Sequence, residues 1–235
     1  MIIKCVWEHN GDDSLLYAAN FIGAFTRGSS LDIAIRKMPY EIQAYLKWKG
    51  ESVPNALEVE IIQQCSSALS ISDADSDVIF DEERKVLSVS EYFELKSLVL
   101  KSAQDFMTLY SAIPDKDESC LPARSTFYGS RPRTASEMYE HTKNVNAYYW
   151  GEIGVSANNT GSILECRKRG FALLENQPHF LDSEVCSGSY GEEWSLRKVL
   201  RRFIWHDRIH AKAMYRMAVN TFNTDVIPNV FFFDV

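Results

Sequence analysis

The chain has 235 residues, 46% of them apolar and 12% aromatic, with a net charge of −7 at pH 7 and a pI near 5.3. Its apolar content supports one large core or two modest ones and excludes wholesale disorder. The acidic balance weighs against sequence-independent nucleic-acid binding, and no nucleic-acid partner is expected.

Residues 1–85 read as a small α+β unit. IIKCVWE (2–8) is apolar and β-branched and suits a strand. NGDD at 10–13 is a turn signal, after which LLYAANFIGAFTRG (15–28) returns as one or two strands. Leu31, Ala34, Ile35, Met38, Ile42, Tyr45 and Leu46 then fall on a helical stripe, with Ser29 or Ser30 as its cap. Pro39 lies inside that stripe and predicts a kink or a break near Met38. ALEVEII (56–62) alternates at period two and predicts a further strand. SISDADSDVIFDEERK (70–85) is acidic, polar and aperiodic, so a domain boundary is placed near residue 85. The competing reading is a surface loop inside a single domain.

After residue 88 the period is helical. A helix over 89–112 is expected to bury Phe93, Val99, Ala103, Phe106, Leu109 and Tyr110, with Pro114 ending it. The connection PDKDESCLPARSTFYGSRPR (114–133) carries three prolines and forms an excursion over one end of the helices. TASE (134–137) fits a capping box in which Thr134 accepts from a backbone N–H and Glu137 reaches back. The second helix runs to about residue 154, SANNTGS (156–162) breaks it, and the third covers 160–176 before Pro178. CSGSYGEE (186–193) precedes the fourth helix, which Ser195 caps while Trp194 staples onto Val199. Four such helices with two long loops predict an all-α four-helix bundle over 86–235. Arg197, Lys198, Arg201 and Arg202 read as a solvated face of the last helix.

The chemistry of the chain concentrates in its histidines. Val199, Phe203, His206, His210, Ala213 and Met217 step by 4, 3, 4, 3 and 4, one continuous inward stripe. Two imidazoles four residues apart are neighbours and can reach one ion. On its own such a pair is more often packing than ligation. On the second helix Met138, His141, Val145 and Tyr148 step by 3, 4 and 3, which places His141 inward as a third donor. Three neutral imidazoles suit zinc or nickel, and less specifically iron, manganese or copper. Three protein ligands leave a position open, and a metal there lowers the pKa of a bound water or thiol. Tyr148 and the 115–133 loop are placed at the pocket lining. Asp207 and Glu140 adjoin the ligands but point elsewhere and read as surface charges. Glu152 is about 16 Å along the helix from His141, too far to share the ion. His9 and His179 read as exposed and without a role.

The five cysteines are odd in number and widely spaced, with no CxxC, which argues against a disulfide framework or a four-cysteine zinc site. Reduced thiols in a cytoplasmic setting are expected. Neither a signal peptide nor a membrane span is read, and GxSxG, Walker and GxGxxG motifs are absent. Cys166 reads as a small buried hydrophobe.

With TASEMYEHTKNVNAYYWGEI (134–153), WHDRIHAKAM (205–214) and the four-helix pattern, the C-terminal half resembles the DinB-like (damage-inducible) metalloprotein family over about residues 88–222. The resemblance implies a divalent metal, zinc or nickel foremost, held by His141, His206 and His210. It also implies a metal-dependent transferase or isomerase that uses a low-molecular-weight thiol on an electrophilic small molecule, and a homodimer through the bundle helices. Many members follow the last histidine with Arg-Gly-Gln. Ala211, Lys212 and Ala213 stand there in this chain, so whatever those residues do is not carried over, and no catalytic residue is assigned. NFIGAFTRGSSLDIAIRKMPYEIQAYLKWKG (20–50) is similar to the HicB-like fold and implies a β-β-β-α-β module that binds a protein partner. The alternative function is a non-catalytic metal-binding or stress-response protein, and a metal-free structural bundle is a third reading.

Overall fold

A computed structural model of the chain describes residues 1–126, 129–182, 184–222 and 227–234. β1 (Ile2–Asn10) and β2 (Asp13–Ala18) form a hairpin in which Asn10 faces Asp13 across the turn. β3 (Phe25–Gly28) pairs antiparallel with β2. α1 (Leu31–Lys49) then crosses over so that β4 (Glu58–Ser66) lies parallel to β1, and the sheet order is β3-β2-β1-β4. The apolar run in β2 does not alternate because both faces of the strand are covered. Leu16 and Ala18 join the core that holds Met38, Ile42 and Tyr45 of α1. Leu15 and Tyr17 join a second cluster with Ile71, Val78, Phe80 and Trp205.

Ser30 caps α1 by accepting from the Ile33 N–H. Of the kink or break expected near Met38, the break does not occur: the helix runs on through Pro39. A mid-helix proline costs about 3 kcal/mol, and Met38 and Ile42, both fully buried beside it, supply packing that offsets this.

Four further α-helices follow: α2 (Val89–Ala112), α3 (Ala135–Gly151), α4 (Ile163–Glu175) and α5 (Leu196–Phe222). The first three start in reciprocal capping boxes, Ser88 with Glu91, Thr134 with Glu137 and Ser162 with Glu165. α2 and α3 each pack against both α4 and α5. Phe93 is 57% exposed rather than buried. The inward stripe of α2 begins one residue earlier, at Tyr92, whose hydroxyl donates to Glu175 at 2.8 Å.

Residues 198–208 of α5 are buried around the whole circumference of the helix. α2 and α3 cover one side. The other meets the sheet, where Trp205 packs 6.1 Å from Tyr17 and 6.0 Å from Phe25. Gly23, with φ +91°, presses on the same helix, and a Cβ there would sit 2.3 Å from Ile204 Cγ2. Lys198, Arg201 and Arg202 are therefore not a solvated face, and Arg197 is only partly exposed. Three of these cations hold three successive carbonyls of the acidic segment. Arg202 donates to Ser76 at 2.9 Å, Lys198 to Asp77 at 2.6 Å and Arg201 to Val78 at 2.9 Å. That segment closes the gap between sheet and α5, and one apolar core joins Ile3, Leu16 and Tyr45 to Phe106, Trp150 and Phe203.

Among the described residues no helix is long and apolar enough to cross a membrane. All five cysteines are free thiols, and Cys166 is fully buried.

Candidate metal centre

The three predicted ligands meet. α3 starts at Thr134, whose Oγ1 accepts from the Glu137 N–H at 3.2 Å while Glu137 accepts from the Thr134 N–H at 3.1 Å. This fixes the first turn two turns before His141. α5 starts after Ser195, whose hydroxyl accepts from the Lys198 N–H at 3.1 Å, and it carries His206 and His210 one turn apart. Ring centroids lie 5.1 Å apart for His141 and His206, 4.6 Å for His141 and His210, and 4.4 Å for His206 and His210. One nitrogen from each ring lies within 4.8 Å of the others. Imidazoles bound to zinc at 2.0–2.1 Å stand about 3.4 Å apart in a tetrahedron, so small rotamer adjustments close the set around an ion.

The three rings sit at different depths. His206 is 7% exposed, His210 is partly buried and His141 is exposed. The spacing predicted His141 as inward, but the inward face of α3 is Ala135, Met138, Tyr139, Thr142, Asn146 and Tyr149. His141 stands at the rim of that face and leaves the cluster open to solvent on its side. His206 is walled by Tyr149, with ring centroids 6.0 Å apart in an edge-on arrangement.

The donor set fits a divalent ion. Among the described residues, Nδ1 of His206 is buried without a hydrogen-bond partner, a polar atom that a metal ion would satisfy. All three rings are held toward the neutral, ligating form. Burial depresses His141. Burial first, then His210 and His141, push His206 well below the ordinary histidine value. Burial first, then His141, Arg131 and Arg27, push His210 down to about 3. Among the described residues no hydrogen bond orients any of the three rings, so packing alone holds them.

The carboxylates near the cluster in sequence do not join it. Asp207 is fully buried rather than a surface charge, and it accepts from Arg167 of α4 at 3.0 Å. Burial raises its pKa to about 6 against the opposing pull of Arg167. Glu140 is exposed, in an ion pair with Lys143 at 2.7 Å. Glu152 points at the 189 turn, accepting from the Ser189 N–H at 2.7 Å. Tyr148 packs edge-on against Trp194 at 5.9 Å. From the 115–133 loop, Leu121, Pro122 and Arg131 line a cavity beside the cluster, while Phe127 and Tyr128 lie outside the described residues. His179 is exposed, but His9 lies in β1, half-buried and stacked on Trp7 at 4.3 Å.

Reading the sequence missed the buried counter-charges of α5. Glu41 pairs with Arg208 at 2.5 Å, and both Glu83 oxygens receive Arg201. Glu41 left a signal, a carboxylate three residues after Met38 on the apolar stripe of α1. Glu83, in an acidic run without periodicity, left none. No family model matches the chain, and no characterised protein or solved structure matches it either.

Proposed function

We propose that the chain is a divalent-metal protein of the DinB-like kind, with His141, His206 and His210 as ligands and a metal-dependent thiol transfer as its reaction. The carrying observation is the convergence of three neutral imidazoles from two helices with no carboxylate among them. The mutual packing of α2 and α3 against α4 and α5 supports a four-helix bundle with the site between two of its members. A divalent ion bound there would act as a Lewis acid and lower the pKa of a bound water or thiol. The protein's part is to keep the imidazoles unprotonated through burial, to leave the His141 side open and to exclude competing carboxylates. Five free thiols fit a reducing, cytoplasmic setting.

Elemental analysis of the purified protein tests this, with about one zinc or nickel per chain expected and loss of it in His206→Ala and His210→Ala. Re-addition of metal to stripped protein at 100 times Kd stabilises by about 2.7 kcal/mol. For 235 residues that is about 5–6 °C in Tm. Conjugation of a small thiol to an electrophile should follow the metal content. No bound metal together with an unchanged Tm would overturn the reading, and full metal without turnover would leave a non-catalytic metal protein.

A further inference from the structure

A cavity of about 920 Å³ lies beside the histidine cluster, between the sheet and the helices. Its walls come from β3, α1, the 115–133 connection and α5. A volume of this order suits a small molecule. Its described lining carries seven lysines and arginines against three acids, in a chain whose net charge is −7. Met138 and Ala213 also line it. Met138 stands three residues before His141 on α3, and Ala213 three after His210 on α5, so the cavity borders the cluster, although none of the three histidines is part of its wall.

Three arginines from separate elements are its chemical centre: Arg27 of β3, Arg131 of the connection and Arg216 of α5. Their counter-charges are sparse. Asp73 is shared between Arg124 at 2.8 Å and Arg131 at 3.5 Å. Arg27 donates to the Ser72 carbonyl at 3.0 Å. Glu41 is committed to Arg208 at 2.5 Å, with Lys212 at 3.6 Å. The other two lining acids are Asp13 and Asp234. Among the described residues Arg216 has neither an ion pair nor a hydrogen bond. Burial, then Arg131, depress Arg27, with Arg216 adding to the repulsion and Asp73 opposing it. Cations gathered in a cleft with too few acids raise the local potential, and an anion relieves it. Guanidinium groups match carboxylate and phosphate oxygens two at a time.

We infer that this cavity binds a small anionic molecule, held through carboxylate or phosphate groups by Arg27, Arg131 and Arg216, with its remaining part toward the histidine cluster. Only that last clause rests on the proposed metal centre. Anion binding by the arginines requires no metal, and the sheet region then has a task of its own, since it supplies Arg27 to the site.

The test uses full-length protein stripped of metal and titrated calorimetrically with pyrophosphate and with succinate at constant ionic strength. Saturable binding at one site per chain is expected for at least one probe. Arg216→Gln and Arg27→Gln should each weaken it about tenfold or more, the scale of one lost charge-assisted contact. Arg84→Gln, which breaks an exposed pair with Glu193, should leave it unchanged. Arg216 is exposed and unbonded, so its variant keeps the fold, which circular dichroism checks. No saturable binding up to about 10 mM, equal binding in Arg216→Gln, or binding of a single-stranded oligonucleotide with no affinity for either probe would overturn the inference. Anion binding by a protein that takes up no metal would sustain it while removing the metal reading, and a metal-loaded protein blind to both anions would do the reverse.

Discussion

Replacing Glu83 by alanine removes the carboxylate that neutralises Arg201 inside the core. The two side chains are 6% and 2% exposed, and the guanidinium donates from Nε and Nη2 to both carboxylate oxygens, the latter at 3.0 Å. It lies 4.0 Å from the Phe80 ring centroid, and among the described residues its Nη1 has no hydrogen-bond partner. After the substitution the only hydrogen bond left to the buried cation among the described residues is that to the Val78 carbonyl, at 2.9 Å. Breaking a buried pair from one side costs about 3–5 kcal/mol. At about 2.1 cal/mol/K per residue the unfolding entropy of this 235-residue chain is about 0.5 kcal/mol/K, so Tm should fall by about 6–10 °C. Calorimetry, with urea melts followed in the near and far ultraviolet, measures it. The adjacent Arg84→Ala, which breaks a pair with Glu193 exposed by 43% and 48%, should cost under about 1 kcal/mol. Glu83→Leu combined with Arg201→Met should recover most of the loss, because a buried pair can be exchanged for apolar packing. A loss below about 1 kcal/mol for Glu83→Ala, or a split melt in which the helices are unaffected, would refute the view that residues 71–85 weld sheet to helices.

Two further outcomes follow from the same geometry. Gly170→Ala in the interior of α4 should destabilise by about 1–3 kcal/mol or more, where propensity alone predicts a gain of about 1 kcal/mol, because the new Cβ would fall 2.0 Å from Nε1 of the fully buried Trp150; a raised Tm would contradict the packing. His206 and His210 have depressed values in the folded, metal-free protein, so the unfolded chain binds more protons below pH 6.5; their contribution is complete above 6.5 and is lost as pH falls below it, for His210 down to about 3, by up to about 1.4 kcal/mol per unit for each ring. Urea midpoints at pH 7.5 and 5.5 should therefore converge in His206→Gln/His210→Gln, and an unchanged pH slope in that variant would show that the two rings are not held neutral by burial.

The elements that local pattern specifies were legible in the sequence. The hairpin turn, the capping box at Thr134 and the spacing of His206 and His210 all follow from rules that reach no further than four residues. What was not legible depends on distant partners. Lys198, Arg201 and Arg202 resemble a wet helix face because charge reports burial only when the counter-charge is known. Here Glu83 lies 118 residues from Arg201, and Glu41 lies 167 from Arg208. The acidic segment hid its own role likewise, since it binds α5 through backbone carbonyls, which every sequence possesses. His141 was found by spacing, but its place at the rim was not, because a stripe three or four residues apart leaves its angular edge undefined.

His206, Asp207 and Arg208 show how the site acquires its geometry. Consecutive residues on a helix point about 100° apart. These three engage three different elements: His206 meets His141 of α3, Asp207 pairs with Arg167 of α4 at 3.0 Å, and Arg208 pairs with Glu41 of α1 at 2.5 Å. Any rotation of α5 that carries His206 away from His141 also breaks two buried ion pairs, each costing about 3–5 kcal/mol when one partner is lost. Among the described residues the three imidazoles lack hydrogen bonds of their own, so besides packing it is this rotational lock on α5 that sets where His206 and His210 face. The charged residues around them act by fixing the angle of the helix, and α1 of the sheet region holds one of the three clamps. A structural reason thus joins the two halves of the chain: the N-terminal part sets the orientation of the helix that carries two of the three histidines.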